Sequence, residues 1–263
     1  MNKSVLIPTL LVLILSYGCS STTTQSESIQ ETVVTFVVDC TDPELFESID
    51  RDFRTNLNSF FRNLNLNQLD YGKKLTVKML PLEASGTVSA NGASIGPATR
   101  NMSKRKAASC RDTRPLCQLI ATELNTYRTL SESDVRYSSI LETLLKTFME
   151  MNPESEREII VLLSDGIEHS NFLNMYRSSI PTTDDAVERL ANRLDPFLLQ
   201  SATSRICLAD PVVVMVLKKN DRVNNIDLKQ FYSKFLNNVL GIKTSNILFV
   251  DNLGNNIQIP KEP

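Results

Sequence analysis

The sequence is poor in histidine and has no excess of basic residues. His169 is its only histidine, which excludes a histidine-rich metal site and any zinc motif with two histidines. Lysine and arginine (28) do not outnumber aspartate and glutamate (30), so the chain lacks the basic excess with which nucleic-acid-binding proteins neutralise phosphates. Hydrophobic residues make up 41% of the chain and charged residues 22%. This composition predicts a globular protein that does not bind nucleic acid.

Long apolar runs are also missing, apart from one short run at the N-terminus. Val5 to Leu15 is apolar except for Pro8 and Thr9, and it follows the basic Lys3. A membrane-spanning helix needs about 20 such residues, so this run is typical of a signal-peptide core. No second stretch is long enough to span a bilayer. We therefore expect residues 1–18 to be a signal peptide.

The end of this run resembles the lipobox of bacterial lipoproteins. It reads Leu15-Ser16-Tyr17-Gly18-Cys19, with one departure, since the family usually has leucine three residues before the cysteine. The resemblance implies cleavage before Cys19, diacylglycerol on its thiol and an acylated amino terminus. An ordinary secretory signal with a chance cysteine is the alternative.

The segment after Cys19 predicts a tether and a location. Residues 20–28 include no apolar side chain, so residues 19–30 are expected to form a flexible tether. Lipidation would place the protein on the cell membrane or outer membrane of a bacterium, facing the periplasm or the exterior. Ser20, which is not aspartate, favours the outer membrane by resemblance to enterobacterial sorting.

The rest of the chain alternates strand and helix patterns. Continuous β-branched or apolar runs predict strands over 33–38, 74–80, 158–163, 212–217 and 247–250. Apolar residues at helical spacing predict helices over 43–61, 116–127, 139–151, 183–199 and 228–239. Asn91-Gly92 predicts a hairpin turn. This alternation predicts an α/β, Rossmann-like, doubly wound and mostly parallel sheet with helices on both faces, in one domain over 31–263.

Two acidic residues directly follow predicted buried strands. These are Asp39 and Asp165, and ligands collect beyond the carboxyl ends of the strands in open parallel sheets. Carboxylates with hydroxyl neighbours form a hard oxygen site that suits Mg²⁺. The hydroxyl candidates are Thr41, Ser138, Ser139 and Ser164. Ser138 also suits the N-cap of the helix that follows it.

Three segments together resemble the motifs of a von Willebrand factor type A domain. They are Phe36–Thr41, Ser138–Leu144 and Val161–Gly166, in the family's order. The resemblance implies a metal-ion-dependent adhesion site that binds Mg²⁺ or Mn²⁺. Carried over, its ligands are Asp39, Thr41, Ser138 and Asp165.

The first motif departs from the family pattern. Pro43 stands where the family has a second hydroxyl, and Ser138 replaces a threonine in the second motif. Asp42 either compensates for the lost ligand or caps the following helix. Further candidates for contact with the metal or a partner are Asp42, Ser139, Ser164 and His169.

The resemblance implies a non-enzymatic module that binds a partner protein, gripping an acidic side chain through the metal. Two alternatives stay open. One is a metal-free structural component of an envelope complex. The other is a serine or metal-assisted hydrolase, because Gly92 to Gly96 matches a Gly-x-Ser-x-Gly nucleophile motif around Ser94. Its surroundings favour a hairpin over the strand, turn and helix that such a nucleophile needs.

Four cysteines besides Cys19 would lie in an oxidising compartment, where they allow three pairings. The short spacing of Cys110 and Cys117 favours a disulfide between them. Cys40 and Cys207 are predicted at opposite edges of the sheet, which disfavours a bond between them, and we expect both as buried thiols.

Overall fold

The computed structural model describes residues 29–41, 53–66, 68–70, 72–82, 91–95, 110–112, 114–131, 138–218, 223–255 and 257. Their strands are β1 Gln30–Asp39, β2 Gln68–Asp70, β3 Lys73–Leu82, β4 Asn91–Ile95, β5 Cys110–Asp112, β6 Arg157–Ser164, β7 Val212–Leu217 and β8 Ile247–Val250. Their α-helices are α1 Phe53–Asn63, α2 Arg114–Ser131, α3 Ile140–Met149, α4 Asp184–Ala191, α5 Pro196–Ala209 and α6 Asn225–Lys234. The predicted signal peptide, Cys19, nearly all of the tether, Asp42 and Pro43 lie outside the described residues.

Six strands form the central sheet, in the order β4-β3-β1-β6-β7-β8. Within this sheet, β3 pairs in parallel with β1, β1 with β6, β6 with β7 and β7 with β8. At the edge, β4 pairs antiparallel with β3. Strands β2 and β5 pair separately. Every residue of β1 from Thr32 to Asp39 is buried, as expected for a strand covered on both faces.

Helices cover both faces of this sheet. On one face, Val37 of β1 packs in a cluster with apolar residues of α3, α4, α5 and α6. On the other face, Phe36 packs in a cluster with residues of α1 and α2. Because successive side chains of a strand point to opposite faces, these two neighbours serve two separate cores. The predicted α/β, doubly wound and mostly parallel fold is therefore confirmed.

The single helix predicted over 183–199 is wrong, because two helices occupy that stretch. Helix α4 ends at Ala191, and α5 begins at Pro196. The side chain of Asp195 accepts the N–H groups of Phe197 at 2.8 Å and Leu198 at 3.4 Å, as an N-cap does. Proline lacks an N–H and clashes with the preceding turn, so Pro196 starts a helix and cannot continue one.

The turn predicted at Asn91-Gly92 is also wrong. Both residues lie within β4, where Asn91 pairs with Met79 and Gly92 with Lys78. The chain direction does reverse between β3 and β4, and residues 83–90 between these strands lie outside the described residues. The ladder to β3 decided the conformation here over the local turn preference.

The helix predicted over 228–239 is confirmed with different bounds. It begins earlier, at Asn225, where Asn224 caps it by accepting the Ile226 N–H at 3.0 Å. Beyond Lys234 the chain continues as a π-helical turn over Phe235–Val239. Among the described residues, no helix combines the length and the apolar character needed to cross a bilayer.

The cysteines divide into two environments. Cys40 is buried directly after β1, as expected, whereas Cys207 is an exposed thiol on α5, so its predicted burial is wrong. It falls on the outer side of α5, whose inward residues are Ala202 and Ile206. Cys117 is buried on α2. The side chain of Cys110 lies outside the described ones, and the Cys110–Cys117 disulfide stays a prediction.

Two phenylalanines offer a matched test of this core. Phe60 has no exposed surface and lies 5.9 Å from the Phe36 ring, measured between centroids. Phe197 on α5 is 70% exposed. We expect Phe60→Ala to lower the free energy of unfolding by about 3–5 kcal/mol. We expect Phe197→Ala to change it by less than about 0.5 kcal/mol. Denaturant titration measures both, and equal losses would contradict the assignment of the core.

Candidate metal centre

The centre of the candidate site is the carboxylate of Asp39, which has no exposed surface. The Thr41 hydroxyl donates to its Oδ1 at 2.6 Å, and the Thr41 N–H donates to the same oxygen at 2.9 Å. The hydroxyls of Ser138 and Ser164 donate to Oδ2 at 3.0 and 2.7 Å. Three hydroxyl groups from three segments therefore meet at one carboxylate.

Ser138 points at Asp39 and does not cap α3, so its predicted capping role is wrong. The N-cap residue is Ser139, and its side chain makes no capping hydrogen bond. The carbonyl of Ser139 accepts the Thr143 N–H at 3.1 Å. A buried carboxylate left without donors is costly, which accounts for the direction of the Ser138 hydroxyl.

The third motif forms a tight loop after β6. The Gly166 N–H donates to the Ser164 hydroxyl, and the Ile167 N–H donates to Asp165 Oδ1, both at 2.9 Å. Gly166 has φ +78°, and a Cβ there would lie 3.0 Å from the Leu217 side chain. Glycine adopts this φ without strain, whereas a larger residue would be strained and would press on Leu217. The Tyr232 hydroxyl of α6 donates to the Gly166 carbonyl at 2.9 Å and holds this loop in place.

Asp165 is buried near the same cluster. Burial raises the pKa of the Tyr232 hydroxyl, and the charges of Glu168, Asp165 and Asp39 raise it further. The hydroxyls of Thr41 and Ser138 bond Asp39 directly, and Asp165 directly follows Ser164, whose hydroxyl also bonds Asp39. The four predicted ligands therefore lie at the carboxyl edge of β1 and β6.

His169 approaches the site through its backbone. Its N–H and carbonyl each form a 2.9 Å hydrogen bond with Ser138. Its ring lies edge-on to that of Tyr176, with centroids 5.7 Å apart. His169 thus positions the segment before α3 next to the candidate site.

Glu168 is the residue of this site that the sequence analysis missed. It has no exposed surface, and its Oε2 accepts the Leu141 N–H at 2.9 Å. Burial raises the pKa of Glu168 to about 8, the nearby Ser170 hydroxyl and the α3 backbone oppose part of that rise, and the charge of Asp39 adds to it. The only sequence signal is an acidic residue within an otherwise buried stretch after the third motif.

The donor set fits a hard divalent cation in its chemistry. Each hydroxyl that gives its proton to Asp39 turns its oxygen lone pairs away from that carboxylate, so the oxygens of Thr41 and Ser138 are free to accept. Carboxylate and hydroxyl oxygens are ligands that Mg²⁺ accepts, usually beside several waters. Within the described ranges, no three His, Cys, Asp or Glu side chains group as a metal cluster, so such a site depends on hydroxyls and water.

The chain is similar to some solved structures, but it matches no protein-family model and no curated protein. Similar solved structures are human COPII-coat protein Sec24c (10% identity, TM-score 0.41), manganese-loaded TRAP of Plasmodium vivax (10%, 0.37) and proximal thread matrix protein 1 of the mussel byssus (10%, 0.38). The matches cover 85%, 85% and 86% of this chain but 29%, 70% and 43% of those chains. The fold class rests on the sheet topology itself.

The raised pKa of Glu168 predicts a pH dependence of stability. The folded protein keeps a proton up to about pH 8, whereas an ordinary glutamate loses it near 4.5. Between these values the folded state binds more protons than the unfolded state, so this group lowers stability as the pH rises, by at most about 1.4 kcal/mol per pH unit.

Glu168→Gln cannot titrate, so the variant should gain stability relative to the natural protein as the pH rises through this window. Above it, the difference should become constant. Denaturant unfolding in EDTA at a series of pH values measures this difference. The contribution of Glu158, whose pKa burial also raises, is present in both proteins and cancels. A difference that does not change with pH would contradict the raised pKa.

Proposed function

We propose that this chain is a type A-like binding module that takes Mg²⁺ or Mn²⁺ at the carboxyl edge of its sheet and binds a partner protein there. The ligands are Asp39, Thr41, Ser138 and Asp165. The observation that carries the proposal is that three hydroxyl groups donate to the buried carboxylate of Asp39.

The charge balance of the site supports a cation. Asp39 and Asp165 are both buried, whereas Glu168, with a pKa raised to about 8, adds little charge at neutral pH. Two nearby carboxylates repel one another when ionised, and bringing charge into the interior costs free energy unless it is paired. A divalent cation offsets this repulsion. The hydroxyl groups on Asp39 donate hydrogen bonds to it but carry no positive charge of their own.

The partner proposed for this site presents an acidic side chain. The cation supplies a positive centre with exchangeable water positions, and a carboxylate from outside is a suitable ligand for such a position. Thr41 is partly exposed, which leaves the site approachable from its side. The loss of the first-motif hydroxyl at Pro43 leaves one more position to water or to the partner.

The metal-free structural role is the alternative that the cation titration below decides. The hydrolase alternative has less support, because Ser94 lies within β4 opposite Thr76. A nucleophile elbow places its serine on a sharp turn between a strand and a helix.

A cation titration tests the proposal. Mg²⁺ or Mn²⁺ at about 100 times its Kd should stabilise the protein by about 2.7 kcal/mol, a rise in Tm of about 5–10 °C for a domain of this size. Asp39→Asn, which removes the charge but keeps the shape, should abolish the rise. Asp251→Asn is the control, since Asp251 also directly follows a strand of the sheet, β8, but is exposed.

An excess of EDTA should reverse the effect in the natural protein. If neither cation raises Tm, the metal-free role replaces the proposal. If Asp39→Asn still responds like the natural protein, the cation binds elsewhere.

We also propose that the module is anchored to a membrane by lipid on Cys19, as the lipobox resemblance implies. Cys19→Ala should release the protein from the membrane fraction or leave the precursor uncut, because the acyl chains supply the anchoring free energy. Metabolic labelling with palmitate should mark the natural protein only. Equal labelling of both forms would contradict the anchor.

A further inference from the structure

Glu168 connects the third-motif loop to the start of α3. Its Oε2 accepts the Leu141 N–H at 2.9 Å, which is one of the donors that the first turn of a helix leaves without an internal partner. Ser139, the N-cap residue, provides no side-chain hydrogen bond here. A carboxylate from a different segment, 27 residues further along the chain, therefore caps this helix.

The backbone next to Glu168 makes a second connection to the same place. His169 exchanges two 2.9 Å hydrogen bonds with Ser138, and the Glu168 carbonyl accepts the Met175 N–H at 2.9 Å. Backbone hydrogen bonds to His169 thus fix Ser138. Three residues later, the Glu168 carboxyl group fixes the backbone of Leu141. The Ser138 hydroxyl points at Asp39 between these two attachments.

The second carboxyl oxygen of Glu168 is less well satisfied than the first. Oε1 is buried and has no hydrogen-bond partner among the described residues. A buried carboxyl group with a free oxygen costs stability, which a serine or asparagine cap would avoid. The described part of the chain also has no cluster of three acidic, His or Cys side chains that could hold a metal.

We infer that Glu168 is a positioning residue of the cation site, which fixes the Ser138 hydroxyl against Asp39 through its hydrogen bond to Leu141. This inference rests on the proposed cation binding at Asp39. When a residue that orients a metal ligand is replaced, metal affinity falls although every ligand is still present.

Three variants of the full chain separate this role from a purely structural one. Glu168→Ala removes the acceptor for Leu141, whereas Glu168→Gln keeps an acceptor oxygen. Glu158→Ala is the matched control, because Glu158 is also buried and accepts a backbone N–H, that of Asn152 at 3.0 Å, but near the amino end of β6. The probe is Mn²⁺ alone, with its Kd measured by the electron paramagnetic resonance of the free ion. Circular dichroism selects a temperature at which each variant is folded.

We expect Glu168→Ala to weaken Mn²⁺ binding about 10- to 100-fold. Glu168→Gln should retain most of the affinity, and Glu158→Ala should match the natural protein in Kd although it also loses stability. Hydrogen exchange in EDTA adds a readout without metal, since exchange over residues 138–141 should accelerate in Glu168→Ala but not in Glu158→Ala.

The outcomes distinguish the two proposals. Unchanged Mn²⁺ affinity in Glu168→Ala, with tight binding to the natural protein, overturns the inference and leaves the cation site intact. Equal losses of affinity in Glu168→Ala and Glu158→Ala reduce Glu168 to a structural residue. If the natural protein binds no Mn²⁺, the proposed function fails and the positioning role fails with it. If Glu168→Ala fails to fold, Glu168→Gln decides the inference by itself, because this variant keeps the hydrogen-bond acceptor for Leu141. Tenfold weaker Mn²⁺ binding in Glu168→Gln would then overturn the positioning role.

Discussion

A carboxylate buried at the end of a central strand must find hydrogen-bond donors, and the Asp39 carboxylate organises the carboxyl edge of this sheet around that need. Its two oxygens receive hydroxyl groups from the residue two positions on, from the start of α3 and from the end of β6. Leaving a charged group buried without such donors would cost several kcal/mol (about 3–5 when a partner is removed). The loops that supply them are therefore tied to one point.

The strand order makes that convergence possible. Strands β1 and β6 are parallel neighbours, with Val38 opposite Leu163, so Asp39 and Ser164 leave the sheet side by side. Helix α3 packs on the same sheet through Leu144 and Phe148, which brings its first residues to the same edge. Polar groups held rigidly by packed elements need little reorganisation to accept a ligand, which is how a nearly preformed site gains affinity.

Much of this arrangement could be predicted from the sequence, because it follows from patterns that act locally. The buried run of β1 ends at Asp39, and Asp165 directly follows that of β6. The carboxyl ends of parallel strands share one edge of the sheet. The contact of Glu168 could not be predicted, since its hydrogen bond to Leu141 joins residues 27 positions apart and no periodicity signals it. The break at Pro196 was a local signal that the apolar spacing on either side concealed, and Asn91-Gly92 shows a turn preference overridden by strand pairing.

The central claim is that the hydroxyl groups around Asp39 form a cation site. The most direct measurement is a crystal structure of the full chain grown with Mn²⁺, using the anomalous scattering of the metal. We expect one strong anomalous peak at ligand distance, about 2 Å, from the hydroxyl oxygens of Thr41 or Ser138 and adjacent to Asp39 and Asp165. An ordered site without such a peak, or manganese bound only elsewhere on the protein, would contradict this claim.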